Sequence, residues 1–180
     1  CGSTIRAEHV AEADATIIDA LNKAGAVILG KLNMTEFALY GYHPERDVPK
    51  NPWDENMWSG VSSSGPAVAT SASLCFAAIG TDTGGSIRYP SAATNIVGIK
   101  PTWGLVSRNG VFPLAESLDH IGPMARTVAD ATALLSVIAG QDDNDLTTLK
   151  AEIPDYSQAL NTDIKGMKIG IDRNYVLMNT

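Results

Sequence analysis

The sequence predicts an α/β protein in which a β-sheet is flanked by helices. Two observations lead to this fold class: amphipathic helical segments alternate along the chain with short apolar runs, and Gly, Pro or polar turns separate them. The chain of 180 residues, 44% of them hydrophobic, has room for one domain with a substantial buried core.

The first helix signal begins near Asp14, which is placed to cap a helix, and ends at Gly25. Apolar residues between them follow helical spacing. They are Ile17, Ile18, Leu21 and Ala24.

The next apolar run, Ala26–Leu29, predicts a short buried strand. Asn33–Glu36 resembles a capping box, which predicts a second short helix through Phe37 and Leu39. A polar loop that contains proline is expected from about Tyr42 to Trp58.

The middle of the chain contains two Ser/Gly clusters. The first, residues 60–66, is a turn that leads into a small-residue helix with Pro66 in its first turn. Phe76–Ile79 predicts a central strand, which runs into the second cluster, residues 80–86, and then into a helix up to about Pro90. This order returns both clusters to one edge of the fold.

The last part of the chain has one clear helix signal and two strand signals. Ile96–Ile99 and Gly166–Ile171 each predict a strand, and the acidic run 141–145 is expected to be a loop. Thr127–Ala139 predicts an amphipathic helix that Gly140 ends. Its apolar face consists of Val128, Ala131, Leu135 and Ile138.

Charge and composition exclude several classes of protein. A net charge of -7 and a pI near 4.8 lack the basic footprint of a nucleic-acid-binding protein. No apolar run is long enough to cross a bilayer, and no signal segment opens the chain. Two cysteines are too few for a disulfide scaffold. We therefore expect a cytoplasmic protein without direct nucleic-acid or membrane contacts.

The second Ser/Gly cluster is the strongest chemical signal. Ser86 is predicted to lie at a strand-to-helix turn, directly after Thr83, Gly84 and Gly85. Backbone amides at such a turn can stabilise a developing oxyanion, and glycines permit close approach of a substrate. From the residues alone, the turn fits a serine nucleophile, an anion-binding turn or a purely structural turn. A P-loop is excluded because a lysine does not follow the last glycine.

The usual companions of a catalytic serine or of a metal are missing. His9, His43 and His120 each lie outside the Ser/Gly clusters and are expected to be surface or structural residues. A G-x-S-x-G nucleophile elbow is absent. The sequence shows no Cys/His cluster, and the run 141–145 lacks the pattern of a calcium loop. We expect no metal and no cofactor.

The stretch Gly60–Ser91 resembles, over its whole length, the signature of the amidase signature family of serine amidohydrolases. Four further blocks, in the family's order, are similar to recurring family segments. They are residues 14–38, Asn51–Asp54, Gly98–Gly104 and Ser117–Met124. The resemblance implies a partial amidase signature fold with a mixed, twisted β-sheet between helices.

The resemblance also implies roles for individual residues. Ser86 would be the nucleophile, and Ser62, preceded by a cis peptide bond to Val61, would relay its proton to a lysine. Thr83, Gly84 and Gly85 would form the oxyanion hole together with the Ser86 amide. Asp82 and Arg88 would support the site. The residues that would line the substrate pocket are Leu39, Tyr40, Gly41 and Tyr42.

The lysine of this triad has no counterpart here. In the family it lies in a Val-Lys-Asp type strand further upstream than the residues that precede Ser62. Lys31 and Lys100 fall in other family blocks and are expected to be structural or surface residues. We therefore expect residues 1–180 to be part of a single amidase domain that lacks the lysine segment and the C-terminal part, and the isolated chain to be inactive.

Three functions remain open at this point. The first is an amidase that hydrolyses the C–N bond of a carboxylic amide through a serine acyl-enzyme. The second is the glutamine-hydrolysing, amidase-like subunit of an aminoacyl-tRNA amidotransferase. The third is an inactive fragment or scaffold without the lysine. The expected partners are a small-molecule amide substrate and either a second copy of the chain or amidotransferase partner subunits.

Overall fold

The computed structural model describes residues 1–39 and 41–178, and within them five α-helices accompany one small sheet. The helices are α1 (Thr16–Lys23), α2 (Ser64–Ser71), α3 (Arg88–Ala93), α4 (Val128–Ile138) and α5 (Arg173–Val176). The strands are β1 (Ala77–Asp82), β2 (Val97–Gly98) and β3 (His120–Ala125). Two 3-10 helices cover Glu36–Ala38 and Tyr156–Asn161. The prediction of a sheet flanked by helices is confirmed.

The sheet has the order β1-β3-β2, and both strand pairs of the described chain are antiparallel. The expected mixed sheet is therefore wrong for these residues, and β1 lies at an edge instead of the centre. The sequence analysis missed the central strand, β3. Its Gly122 and Pro123 are weak strand formers. The register pairs Asp82 with His120, so the end of β1 lies beside the start of β3.

The largest buried cluster lies between α1, α4 and β3. Its buried members are Ile17, Leu21, Val106, Ile121, Leu135 and Ile138. The predicted face of α4 is confirmed at three of its positions, whereas Val128 in the first turn is exposed. Burial of each Leu or Ile side chain contributes roughly 1.5–3 kcal/mol, which explains the choice of apolar residues on these two helices.

Two predicted strands are wrong. Ala26–Leu29 and Gly166–Ile171 are irregular and exposed, and neither pairs with another strand in the described part of the chain. An apolar run becomes a strand only where a neighbour satisfies its backbone N–H and C=O groups. The run 76–79 differs because β3 pairs with it.

The remaining local predictions are partly confirmed. Helix α1 forms as expected, but its N-cap residue is Ala15 instead of Asp14. The second short helix is a single 3-10 turn, because Phe37 and Ala38 adopt positive φ angles that no α-helix accepts. None of the helices that the structure describes is long and apolar enough to span a membrane.

Candidate functional site

The two Ser/Gly clusters meet in the structure. The backbone N–H of Ser63, in the first cluster, donates to the carbonyl oxygen of Ser86, in the second, at 3.2 Å. Gly60 has φ +79°, and a Cβ there would lie 2.3 Å from the Cα of Pro90. Only glycine allows this approach, which brings the first cluster against the start of α3. The prediction that both clusters share one edge of the fold is confirmed.

Ser63 anchors the first cluster to the sheet. Its hydroxyl donates to the carbonyl oxygen of Thr81 at 3.2 Å and accepts from the Thr81 amide at 3.1 Å. This pair of bonds fixes the cluster directly beside β1. Ser63 is buried, so its hydroxyl is a structural link and not a reactive group.

Ser62 lies directly before this link. Its peptide bond to Val61 is cis, as the resemblance implied. The residue is 1% exposed, and its hydroxyl has no hydrogen-bond partner among the described residues. A buried hydroxyl without a partner is costly, by about 1–3 kcal/mol, and is therefore rare in folded proteins.

Asp82 organises the loop that carries Ser86. Its carboxylate, at the end of β1, is fully buried and accepts the amides of Gly85 at 2.9 Å and Ile87 at 3.1 Å. The Arg88 amide donates to it at 3.3 Å, and the Arg88 guanidinium donates from Nε and Nη2 at 3.0 and 2.9 Å. One carboxylate thus holds residues 85–88 in a tight turn around itself.

The electrostatics of this pair follow from its geometry. Burial by itself would raise the pKa of Asp82, but the hydrogen bonds from Arg88 and from the Ile87 and Arg88 amides outweigh it and hold that pKa below its usual range. The hydrogen bonds of its guanidinium to the Asp82 carboxylate raise the pKa of Arg88, whose side chain is 54% exposed. Asp82 is therefore ionised at neutral pH. The two residues form an ion pair, and a supporting role for them at the site stays a prediction.

The residues expected to form an oxyanion hole differ in what their amides do. The Gly85 amide already donates to Asp82, so it supports the loop and is not available to a substrate. Gly84 is exposed, and apart from Gly84 and its two chain neighbours no described residue has a heavy atom within 4 Å of where its Cβ would be. Ser86 is half-buried. This geometry corrects the expectation for Gly85, while an oxyanion role for Thr83 and Gly84 stays a prediction.

Asp119 is a residue that the sequence analysis passed over. Its carboxylate accepts the Thr83 hydroxyl at 2.5 Å and also the amides of Leu114 and Ala115. His120 beside it places Nδ1 3.2 Å from the Asp82 carbonyl oxygen and 2.6 Å from that of Leu118, as a satisfied structural histidine does. Asp119 lay within a recognised family block, but only the unpredicted strand β3 reveals that it faces Thr83.

The predicted substrate-pocket residues lie partly at the site. The Tyr42 hydroxyl donates to Ser64, whose own hydroxyl donates to the Ser62 carbonyl oxygen at 3.5 Å. Burial raises the pKa of Tyr42, and the hydrogen bonds with Ser64 and Ser59 lower it by less. Leu39 is exposed, Gly41 has a positive φ in open space, and Tyr40 lies outside the described residues.

Two open cavities flank these loops. One, of ≈ 510 Å³, lies between Tyr42 and Trp58, and the other, of ≈ 390 Å³, extends from Thr83 along residues 108–114. Ser62 and Ser86 line neither of them. The described residues contain no group of three or more His, Cys, Asp or Glu side chains that is arranged to hold a metal ion.

The two lysines near the family blocks have other surroundings. The Lys100 ammonium donates to the carbonyl oxygen of Pro101 at 2.7 Å, and Lys31 is exposed. Neither is the missing partner of the Ser62 hydroxyl.

Comparison with known proteins identifies the family of this chain. The model of the Amidase family matches residues 1–180, so the chain belongs to the Amidase family. It is 55% identical over 159 residues to a protein of Mycobacterium bovis described as "Putative amidase AmiD", covering 88% of this chain and 34% of that protein.

Two further relatives carry a different description. A glutamyl-tRNA(Gln) amidotransferase subunit of Desulfatibacillum aliphaticivorans is 48% identical over 181 residues, covering 99% of this chain and 37% of that protein. The crystal structure of the corresponding amidotransferase subunit from Thermotoga maritima superposes with a TM-score of 0.80 at 46% identity, over 85% of this chain and 34% of that one. The chain thus spans about a third of the length of these relatives.

Proposed function

We propose that the chain carries the nucleophile and proton-relay portion of an enzyme that hydrolyses the C–N bond of a carboxylic amide. The observation that carries this proposal is the Ser63–Ser86 hydrogen bond, because it holds the buried, unpartnered hydroxyl of Ser62 next to the loop of Ser86. Membership of the Amidase family supports the reaction class.

In the proposed reaction, the Ser86 hydroxyl oxygen attacks the amide carbonyl carbon. Its proton passes to Ser62, whose own proton passes to a neutral lysine. The negative oxygen of the tetrahedral intermediate receives hydrogen bonds from the amides of Thr83, Gly84 and Ser86. The C–N bond then breaks, and the leaving amine or ammonia takes the proton from the relay. Water hydrolyses the resulting ester, which releases the acid and restores Ser86.

We further propose that the lysine belongs to a segment outside these residues. The Ser62 hydroxyl, which has no partner in the described chain, is where a lysine ammonium or amine would bond. The isolated 180-residue chain is then inactive, because Ser86 has no base, whereas a longer protein that contains this chain is active.

A second candidate is favoured by the amidotransferase relatives at 46–48% identity. In this case the amide is the side chain of glutamine, and the ammonia goes to a partner subunit. Glutaminase activity would then depend on that partner and on charged tRNA. An amidase instead hydrolyses its substrate without either, so one assay with and without partner separates the two.

The proposal is tested by Ser86→Ala in the full-length protein that contains this segment. We expect amide hydrolysis to fall by at least about 10³-fold, because the nucleophile is removed. Ser157→Ala, which removes an exposed hydroxyl in the 3-10 helix Tyr156–Asn161, outside both Ser/Gly clusters, is the matched control and should retain full activity. A fluorophosphonate probe mapped by mass spectrometry should label Ser86. Undiminished hydrolysis in the alanine variant, or labelling at another serine, contradicts the proposal.

A further inference from the structure

We propose that Asp119 is a positioning residue that holds the Thr83 end of the oxyanion loop. The inference rests on the proposed function, since it concerns the loop that would stabilise the oxyanion. The contact that carries it is the hydrogen bond from the Thr83 hydroxyl to Asp119 Oδ1 at 2.5 Å. Bonds of hydroxyl groups to a carboxylate are shorter and stronger than those between neutral groups.

The sheet places these two residues opposite each other. Asp82 and His120 are the last register pair of the antiparallel strands β1 and β3. Thr83 follows Asp82 and Asp119 precedes His120, so both leave the sheet at the same end. His120 Nδ1, 3.2 Å from the Asp82 carbonyl oxygen, adds a second contact at this end.

Asp119 is itself fixed. Its Oδ2 accepts the amides of Leu114 at 2.8 Å and Ala115 at 3.0 Å, and its Oδ1 accepts the Ala115 amide at 3.0 Å. These bonds make its carboxylate a rigid point and connect it to the loop 110–115 that borders the ≈ 390 Å³ cavity. A freely rotating side chain would give Thr83 no defined position.

Two carboxylates therefore hold the loop from opposite ends. Asp82 holds residues 85–88, and Asp119 holds Thr83. Gly84 lies between the two anchors, and among the described residues only its chain neighbours come near the position of a Cβ. Without the Asp119 anchor, the Thr83 and Gly84 amides are positioned from one side only.

The proposal predicts which kinetic constant changes. Oxyanion donors act more strongly in the transition state than on the bound substrate, so loss of their alignment lowers kcat and leaves KM nearly unchanged. The negative charge of Asp119 opposes the developing oxyanion, so a purely electrostatic effect would make a neutral variant faster. Positioning and electrostatics therefore predict opposite signs for Asp119→Asn.

The test uses Thr83→Val, Thr83→Ser and Asp119→Asn in the full-length protein. Valine has the shape of threonine without the hydroxyl. We expect Thr83→Val and Asp119→Asn each to lower kcat by about 10-fold, less than the 10²–10³-fold loss of a direct oxyanion donor, with a roughly unchanged KM. The double variant should lose little more, because both changes act on the same hydrogen bond, which the valine removes and the neutral amide weakens. Serine at position 83 should restore most of the lost kcat.

A second readout is the rate at which a fluorophosphonate labels Ser86, which should fall in parallel because the phosphoryl oxygen uses the same amides. Asp155→Asn changes an exposed aspartate that caps Ser157 far from the site and serves as the control with unchanged rates. Wild-type kcat in Thr83→Val, a loss confined to KM, or a faster Asp119→Asn enzyme overturns the inference.

Two comparisons keep the outcome decisive. If Asp119→Asn does not fold, the kcat values of Thr83→Val and Thr83→Ser decide the outcome, since neither variant removes the acceptor of the Leu114 and Ala115 amides. If Ser86→Ala is inactive while Thr83→Val is normal, the positioning role fails and the proposed function stands. If Ser86→Ala remains active, the proposed function itself fails.

Discussion

Two aspartates, Asp82 and Asp142, organise two different regions of the molecule. Asp82 is fully buried and collects the amides and the guanidinium of the loop that carries Ser86. Asp142 is half-buried and accepts the hydroxyls of Thr16 and Ser107, each at 2.6 Å. The first aspartate shapes the candidate active site, whereas the second joins α1 to the loop after α4.

The difference between them lies in how the charge is compensated. Burial opposes ionisation of Asp82, and the hydrogen bonds of the Arg88 cation are the largest effect that outweighs it. At Asp142 the hydrogen bonds from Ser107 and Thr16 are the leading causes of a pKa lowered to about 2, and Asn144 adds further neutral donors. A fully desolvated carboxylate thus needs an ion pair, while a partly hydrated one needs only neutral donors.

The largest effect is expected for Asp82→Asn. An amide side chain accepts at one oxygen only and turns an N–H₂ group toward the donors of Gly85, Ile87 or Arg88. The free energy of unfolding should fall by about 3 kcal/mol, since buried amides lose their acceptor. The loss of kcat should be larger for Asp82→Asn than for either Thr83 variant, because the carboxylate that accepts the amides of residues 85, 87 and 88 is replaced. Urea unfolding and kcat, both measured in the full-length protein that contains this segment, quantify the two effects.

Asp143→Asn is the matched control for this variant. Asp143 is an exposed aspartate whose carboxylate accepts one long bond from Gln141, so its replacement should change stability by less than about 0.5 kcal/mol. An Asp82→Asn protein as stable and active as the Asp143 variant would show that the loop does not depend on its carboxylate.

The two regions also differ in how far the sequence revealed them. The resemblance of one long contiguous motif to the amidase signature implied the cis bond before Ser62 and pointed to Asp82 and Arg88 beside Ser86. Within that motif the interacting residues are close in sequence. Asp142 was assigned only to an acidic loop, because its partner Thr16 is 126 positions away. Contacts between distant segments leave no local pattern to recognise.

The strands teach the same point. The run 76–79 predicted β1, but the partner that makes it a strand, β3, contains Gly122 and Pro123 and gives no strand signal. The equally apolar run Ala26–Leu29 pairs with no strand in the described chain and stays irregular. The contact between Thr83 and Asp119 could therefore not be predicted from the sequence, since it depends on the register of β1 with β3.

The second prediction uses pH to separate the two aspartates. The pKa of Asp142 in the folded protein is about 2, below the ordinary aspartate value of 3.8, so its ionised form stabilises the fold at pH above about 4. This stabilisation is lost as the pH falls from about 4 toward 2. Asp142→Asn should cost about 1 kcal/mol at pH 7, after a discount for solvent screening, and progressively less below pH 4.

Chemical unfolding of wild type and Asp142→Asn at pH 7, 5, 4 and 3 measures this effect. In the full-length protein, kcat at pH 7 should be unchanged, because the Asp142 carboxylate bonds to Thr16, Ser107 and Asn144 and not to the Ser86 loop. A stability difference that stays constant down to pH 3 would show that the charge of Asp142 is not what its hydroxyl partners stabilise. A large loss of kcat would show that the two regions are coupled.

The smallest effect is expected for Thr16→Val, which removes one of the two hydroxyl donors and keeps the shape of the side chain. Ser107 still donates to Asp142, so the pKa of Asp142 should rise only part of the way toward 3.8. Stability at pH 7 should fall by about 0.5–1 kcal/mol, the usual worth of one hydrogen bond. Combined with Asp142→Asn, the two losses should be less than additive, because both variants break the same bond. Strict additivity would instead mean that the Thr16 hydroxyl stabilises the protein through its bond with Asn109 and not through its bond with Asp142. The link from α1 to the loop after α4 would then contribute nothing.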